Sequence, residues 1–116
     1  MLTDPLSHLP LTEPTFYILL SLVPGKKHGY AIKKDVKDLS SERVNLSTST
    51  LYTAIGRLLD MELIERFSAS DDEASPGLPR KLYVLTELGK RVLEAETDRL
   101  QEMVQDARLR MREDGV

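Results

Sequence analysis

The sequence predicts a mostly α-helical domain with a small β-hairpin, an α+β fold. Three observations point to it. Apolar residues recur at helical spacing in four segments of the 116-residue chain. Two short strand candidates, Leu63–Ser68 and Arg80–Leu85, flank the turn-rich stretch Ala69–Pro79. Positions 93, 97, 100, 104, 107 and 111 read Leu, Thr, Leu, Val, Ala and Met, the alternating 4 and 3 spacing of a heptad seam.

The elements follow in order. Residues 1–11 hold two prolines and no period, and read as an N-terminal arm. Thr12 is a helix N-cap with Glu13 and Pro14 in the first turn. Thr15–Val23 is apolar nearly all round, which suits a buried helix, and Pro24-Gly25 ends it. Gly29–Leu39 is a second helix, with Tyr30, Ile32, Val36 and Leu39 on its inner face and Lys33, Lys34 and Lys37 outside. Ser47 caps a third helix reaching about Met61. Its wheel puts Leu51, Ala54, Ile55, Leu58 and Leu59 on one side, and Ser49, Thr50, Thr53, Gly56, Arg57 and Asp60 on the other, with Tyr52 at the border. That outer face is neither lysine-rich nor glutamate-rich, as solvated faces usually are. Small hydroxyls with one Arg and one Tyr suit a surface that lies close to something.

The two strands then form a hairpin whose tip carries the acidic triplet Asp71-Asp72-Glu73. Thr86 caps the last helix, which runs to about Glu113 with Glu87/Arg91 and Asp106/Arg110 as i,i+4 pairs. At 1.5 Å per residue it is roughly 40 Å long. The rest of the chain is too small to cover it, so the seam is expected to bury itself against a second copy. The order helix, helix, helix, hairpin, long helix is that of a winged helix-turn-helix, whose third helix enters the DNA major groove and whose hairpin is the wing. The arm is then 1–11, the winged helix 12–86 and the dimerisation helix 87–116.

Composition excludes several function classes. With 41% hydrophobic and 30% charged residues the chain reads as an ordinary globular domain. It has no cysteine and two histidines, which removes thiol nucleophiles and thiolate metal sites. No Walker loop, G-x-S-x-G or H-E-x-x-H motif occurs. The expectation is a protein that is not an enzyme and needs neither metal nor cofactor. No apolar run reaches the ~18 residues of a membrane span, and no basic region followed by an apolar block marks a signal peptide at the N-terminus. A cytoplasmic location with no membrane partner is expected.

Net charge is −3, from 16 basic and 19 acidic residues, which by itself argues against nucleic acid. The distribution reverses that argument. Pro24–Leu46 has six bases (Lys26, Lys27, Lys33, Lys34, Lys37, Arg43) against three acids, net +3. Pro76–Arg91 has Arg80, Lys81, Lys90 and Arg91 against Glu87, again net +3. In a winged helix both segments border the third helix. Acidic excess falls in the arm, the hairpin tip and the final helix. Phosphates sense charge within about a Debye length, ~8–10 Å, so the local potential counts.

The stretches His28-Gly29-Tyr30-Ala31-Ile32, Ser49-Thr50-Leu51-Tyr52 with Arg57-Leu58, Glu62-Leu63-Ile64, and Arg80-Lys81-Leu82-Tyr83-Val84-Leu85-Thr86 with Gly89 occur in that order. This combination resembles the PadR family of bacterial transcriptional regulators, over roughly residues 12 to 110. The resemblance is to the smaller subfamily, with one C-terminal dimerisation helix. It implies a homodimer, usually a repressor, that binds a palindromic operator in double-stranded DNA and is often released by a small-molecule effector. The chain departs from the family at Thr53, where Pro is frequent, and at Gly56, where a long polar residue is frequent. It also lacks the tryptophans with which some small members hold flat drugs.

The candidate DNA-binding residues are Lys26, Lys27, Tyr30, Lys33, Ser47, Ser49, Thr50, Tyr52, Thr53, Arg57, Arg80 and Lys81. Ser47–Thr50 either donate hydroxyls and backbone N–H groups to a phosphate or only cap the helix. Tyr52 touches DNA or packs on the wing, and Tyr30 touches the DNA backbone or serves as a core aromatic. Arg57 reaches phosphate or guanine, or pairs with Asp60. Gly56 costs ~1 kcal/mol relative to alanine in a helix. It either admits DNA close to the backbone or makes room for the wing. Dimerisation is assigned to Leu93, Leu100, Val104, Ala107 and Met111. The family geometry places an effector pocket among Phe16, Tyr17, Val92, Leu93, Glu96 and Leu100. The rival reading is a winged helix used as a protein-interaction module without specific DNA binding.

Overall fold

The computed structural model describes residues 4–68 and 81–113. The element order is a 3-10 turn at Pro5–His8, then α1 (Glu13–Ser21), β1 (Lys27–His28), α2 (Gly29–Leu39), α3 (Thr48–Asp60), β2 (Ile64–Ser68), β3 (Lys81–Leu85) and α4 (Glu87–Glu113). This is a winged helix-turn-helix extended by one long helix. The local start signals hold. The Thr12 side chain accepts from the Thr15 N–H, and that of Ser47 from the Thr50 N–H. Thr86 Oγ1 accepts from the Gly89 N–H at 3.0 Å while donating to the Glu62 carbonyl at 2.6 Å, which ties the start of α4 to the turn between α3 and β2.

The sheet has three antiparallel strands in the order β1-β3-β2. The hairpin pairs Ile64 with Leu85 through to Ser68 with Lys81. β1, absent from the sequence expectation, pairs Lys27 with Tyr83 and His28 with Leu82. It clamps the wing to the start of α2. The acidic triplet Asp71-Asp72-Glu73 lies outside the described residues.

One core joins all the helices. Ile18, Leu19, Ile32, Val36, Leu51, Ile55, Leu58, Leu63 and Val92 are almost fully buried in it. Each such side chain contributes roughly 1.5–3 kcal/mol relative to exposure. This core crosses the expected boundary between residues 86 and 87, because Gly89, Val92, Leu93 and Glu96 of α4 are buried with the winged helix.

Several expectations need correction. α1 stops at Ser21, and Val23 beyond it is exposed. On α2, Ile32 and Val36 face inward but Tyr30 is 79% exposed and Leu39 is exposed too. Tyr30 lies 200° around the wheel from Ile32, and Leu39 sits in the last turn. The Glu87–Arg91 pair forms at 3.8 Å, whereas among the described residues Asp106 and Arg110 do not pair with each other. The part of the arm that is described packs on its own chain: Leu9 and Leu11 rest against the core, and the Leu11 N–H donates to Glu96 Oε2 at 2.8 Å.

Candidate nucleic-acid interface

α3 presents its apolar side to the core through Leu51, Ile55 and Leu58, so the opposite side is left outward by helical geometry. Ser49, Thr50, Thr53 and Arg57 are all exposed there. The helix carries no carboxylate until Asp60, its last residue. Thr53 Oγ1 donates back to the Ser49 carbonyl at 2.9 Å, and Ser47 Oγ donates to Thr50 Oγ1 at 2.9 Å. The hydroxyl row is thereby held in a fixed arrangement. Arg57 makes no ion pair among the described residues, so the pairing with Asp60 does not form.

A cleft lies on each side of this ridge. One, of about 560 Å³, runs between α3 and the start of α1 and is lined by Thr12, Thr15, Ser49, Thr50, Thr53 and Arg57. The other, of about 570 Å³, runs between α3 and the wing, with Tyr30, Tyr52, Gly56, Arg66 and Lys81 in its walls. Tyr52 is 45% exposed. Its ring leans on Gly29, where a Cβ would collide with the phenol, so the position of Tyr52 depends on the glycine that opens α2. Its packing partner is therefore the head of α2.

The basic residues divide into free and engaged groups. Lys27 is half-buried in an ion pair with Asp35 and is not available to a phosphate in this arrangement. Lys26 places its ammonium 3.9 Å from the centre of the Phe67 ring, a cation–π contact that leaves its charge at the wing base. Lys33 is half-buried on α2, and Lys81 is exposed on β3. His28 Nδ1 lies 3.2 Å from the Lys81 carbonyl, which fixes the wing strand beside α2. Arg80 lies outside the described residues. Sequence reasoning missed Arg66, which is exposed on β2 and enters the wing-side cleft. Its register opposite Tyr83 was the signal that could have found it.

The other predicted sites are partly assembled. Phe16, Tyr17, Glu96 and Leu100 line a cleft of about 280 Å³ together with Leu11, Glu13 and Arg99. Val92 and Leu93 are not part of it; both are buried in the core. Leu93 is likewise absent from the open seam, while Leu100, Val104, Ala107 and Met111 are exposed along α4. Glu96 is only 1% exposed. Arg99 donates to it at 2.5 and 3.0 Å, and these hydrogen bonds, aided by the Leu11 N–H, hold its carboxyl below the usual glutamate range against the opposing effect of burial. Arg43 donates to the Tyr17 hydroxyl at 2.7 Å and lies 3.7 Å from Glu13, which fastens α1 to the turn before α3.

A ridge of hydroxyls and one arginine between two clefts, braced by a wing, is the arrangement of a DNA-reading winged helix. The sequence matches the transcriptional regulator PadR-like family over residues 18–95. The chain belongs to this family. An uncharacterized protein of Lysinibacillus sphaericus is 32% identical over 77 residues, covering 66% of this chain and 68% of that protein. Among solved structures, the fold is similar to that of Bacillus subtilis PadR in complex with operator DNA, with 26% identity and a TM-score of 0.63 over 74% of this chain and 47% of that one. This chain thus matches about half the length of that regulator. It is also similar to a PadR family transcription regulator from Clostridium difficile, with 28% identity and a TM-score of 0.65 over 84% of this chain and 99% of that chain. Among the described residues, no helix is long and apolar enough to cross a membrane.

Proposed function

We propose that this transcriptional regulator acts as a homodimeric repressor that binds a palindromic operator. α3 enters the major groove, and Lys81 with the head of α2 holds the flanking phosphates. The observation that carries the reading is the outward face of α3, with Ser49, Thr50, Thr53 and Arg57 exposed and no carboxylate among them. The operator complex of the similar Bacillus subtilis PadR supports it. The second copy covers Leu100, Val104, Ala107 and Met111, which are exposed along α4. A small-molecule effector enters beside Phe16, Tyr17 and Leu100, where that second copy closes the cleft.

The test is binding of the purified protein to duplexes tiled across the DNA upstream of its own gene, at several salt concentrations. One palindromic site is expected, bound by two chains with their reading helices about 34 Å apart. Affinity falls steeply as salt rises, because counterions are released from the neutralised phosphates. Arg57→Ala and Ser49→Ala each weaken operator binding at least several-fold. Absence of any salt-dependent, sequence-specific binding supports the protein-interaction module instead.

A further inference from the structure

Gly56 occupies the middle of α3 on the side turned toward the wing-side cleft. The sequence leaves it two uses, clearance for the wing or clearance for something outside the chain. Among the described residues, those of the wing strands included, a Cβ on Gly56 meets nothing within 4 Å, which speaks against the first. Gly56 is not among the residues with positive φ, so the helix does not need a glycine's conformational range. The contrast with Gly29 and Gly89 is direct: at those positions a Cβ runs into Tyr52 and into the Leu63 carbonyl. Gly56 therefore weakens α3 relative to alanine with no packing benefit among the described residues. The cleft beside it is large, at about 570 Å³, and Arg66 and Lys81 are its charged lining residues. Among the described residues, no carboxylate lines it. Tyr30 and Tyr52 add two hydroxyls that can donate to phosphate oxygens.

We propose that Gly56 is a clearance position, through which one strand of duplex DNA seats in the cleft between α3 and the wing. The missing side chain lets the sugar–phosphate backbone come against the helix, and Arg66 and Lys81 neutralise its phosphates. This inference rests on the DNA-binding reading above and adds to it the residue that sets how deeply the duplex sits.

The experiment compares wild type, Gly56→Ala, Gly56→Leu and Arg66→Ala, each as the full chain. Operator binding is read by fluorescence anisotropy on the tiled upstream duplexes, and Tm by circular dichroism. Gly56→Ala is expected to raise Tm by about 4 °C while weakening operator binding. Gly56→Leu keeps the fold and weakens binding further, by at least 10-fold. Arg66→Ala lowers affinity alike for operator and random duplex, and makes the salt dependence shallower by about one phosphate contact. Gly56→Ala and Gly56→Leu proteins that fold and bind the operator as tightly as wild type overturn the inference while leaving the DNA-binding reading intact. A wild-type protein that binds no duplex overturns both.

Discussion

Glu87–Glu96 and Leu100–Glu113 belong to one unbroken helix, yet their surroundings are opposite. The first stretch buries Gly89, Val92, Leu93 and Glu96 against α1 and the wing base. In the second every residue is exposed, including Leu100, Met103, Val104, Leu109 and Met111. The inner half is held by its own chain. The outer half, about 21 Å of helix, carries an apolar stripe that no described residue of the chain covers. Helical periodicity alone does not distinguish the two halves, since Leu93 and Leu100 occupy equivalent seam positions. The distinction lies in reach: the winged helix is only large enough to cover the first three turns.

Mutations in each half can break this contrast. The largest effect is expected at Gly89, where a side chain would strike the Leu63 backbone carbonyl. Gly89→Ala should cost roughly 3 kcal/mol or more, read as a lower urea midpoint. Next comes Val104→Glu, which places a charge in the proposed seam. It should weaken self-association by about 100-fold, or about 2.7 kcal/mol. Sedimentation would then give a single 13.1 kDa chain while the circular dichroism of the winged helix persists. A wild-type protein that sediments as one chain at micromolar concentration removes the seam altogether.

Glu96→Ala follows, at about 1–3 kcal/mol, because it leaves the Leu11 N–H without its acceptor. Arg99 regains water and limits the loss. The smallest effect is in pH. The Glu96 carboxyl is held below its usual range in the folded state, so its stabilisation is complete above the ordinary carboxylate range. That stabilisation disappears as pH falls through the lowered folded value. Urea midpoints from pH 7 down to 3 should fall more steeply for wild type than for Glu96→Gln. Equal slopes would show that the carboxylate plays no part in holding the arm.

The features legible in the sequence are those set by near neighbours along the chain. Thr12, Ser47 and Thr86 cap helices through groups three residues away, and the α3 wheel separates Leu51, Ile55 and Leu58 from Ser49, Thr50, Thr53 and Arg57. What was hidden depends on distant partners. β1 is two residues long and exists because β3 pairs with it. Lys27 looks like a free phosphate contact until folding brings Asp35 to it across the head of α2. Glu96 has the sequence signature of a solvated helical acid, and only the returning arm and Arg99 make its burial tolerable. Arg66 is an unremarkable strand charge until the hairpin register sets it across from Tyr83, at the cleft.

The hydrogen bond from Leu11 to Glu96 spans 85 positions of the chain. At about 5–20 residues per second, a ribosome takes about 4–17 s to travel that far. Within that interval α1, α2 and α3 are made in turn, all before the segment that covers Leu11 and the outer flank of α1. The nascent chain therefore presents an uncovered apolar flank and an untethered arm until the first turns of α4 emerge.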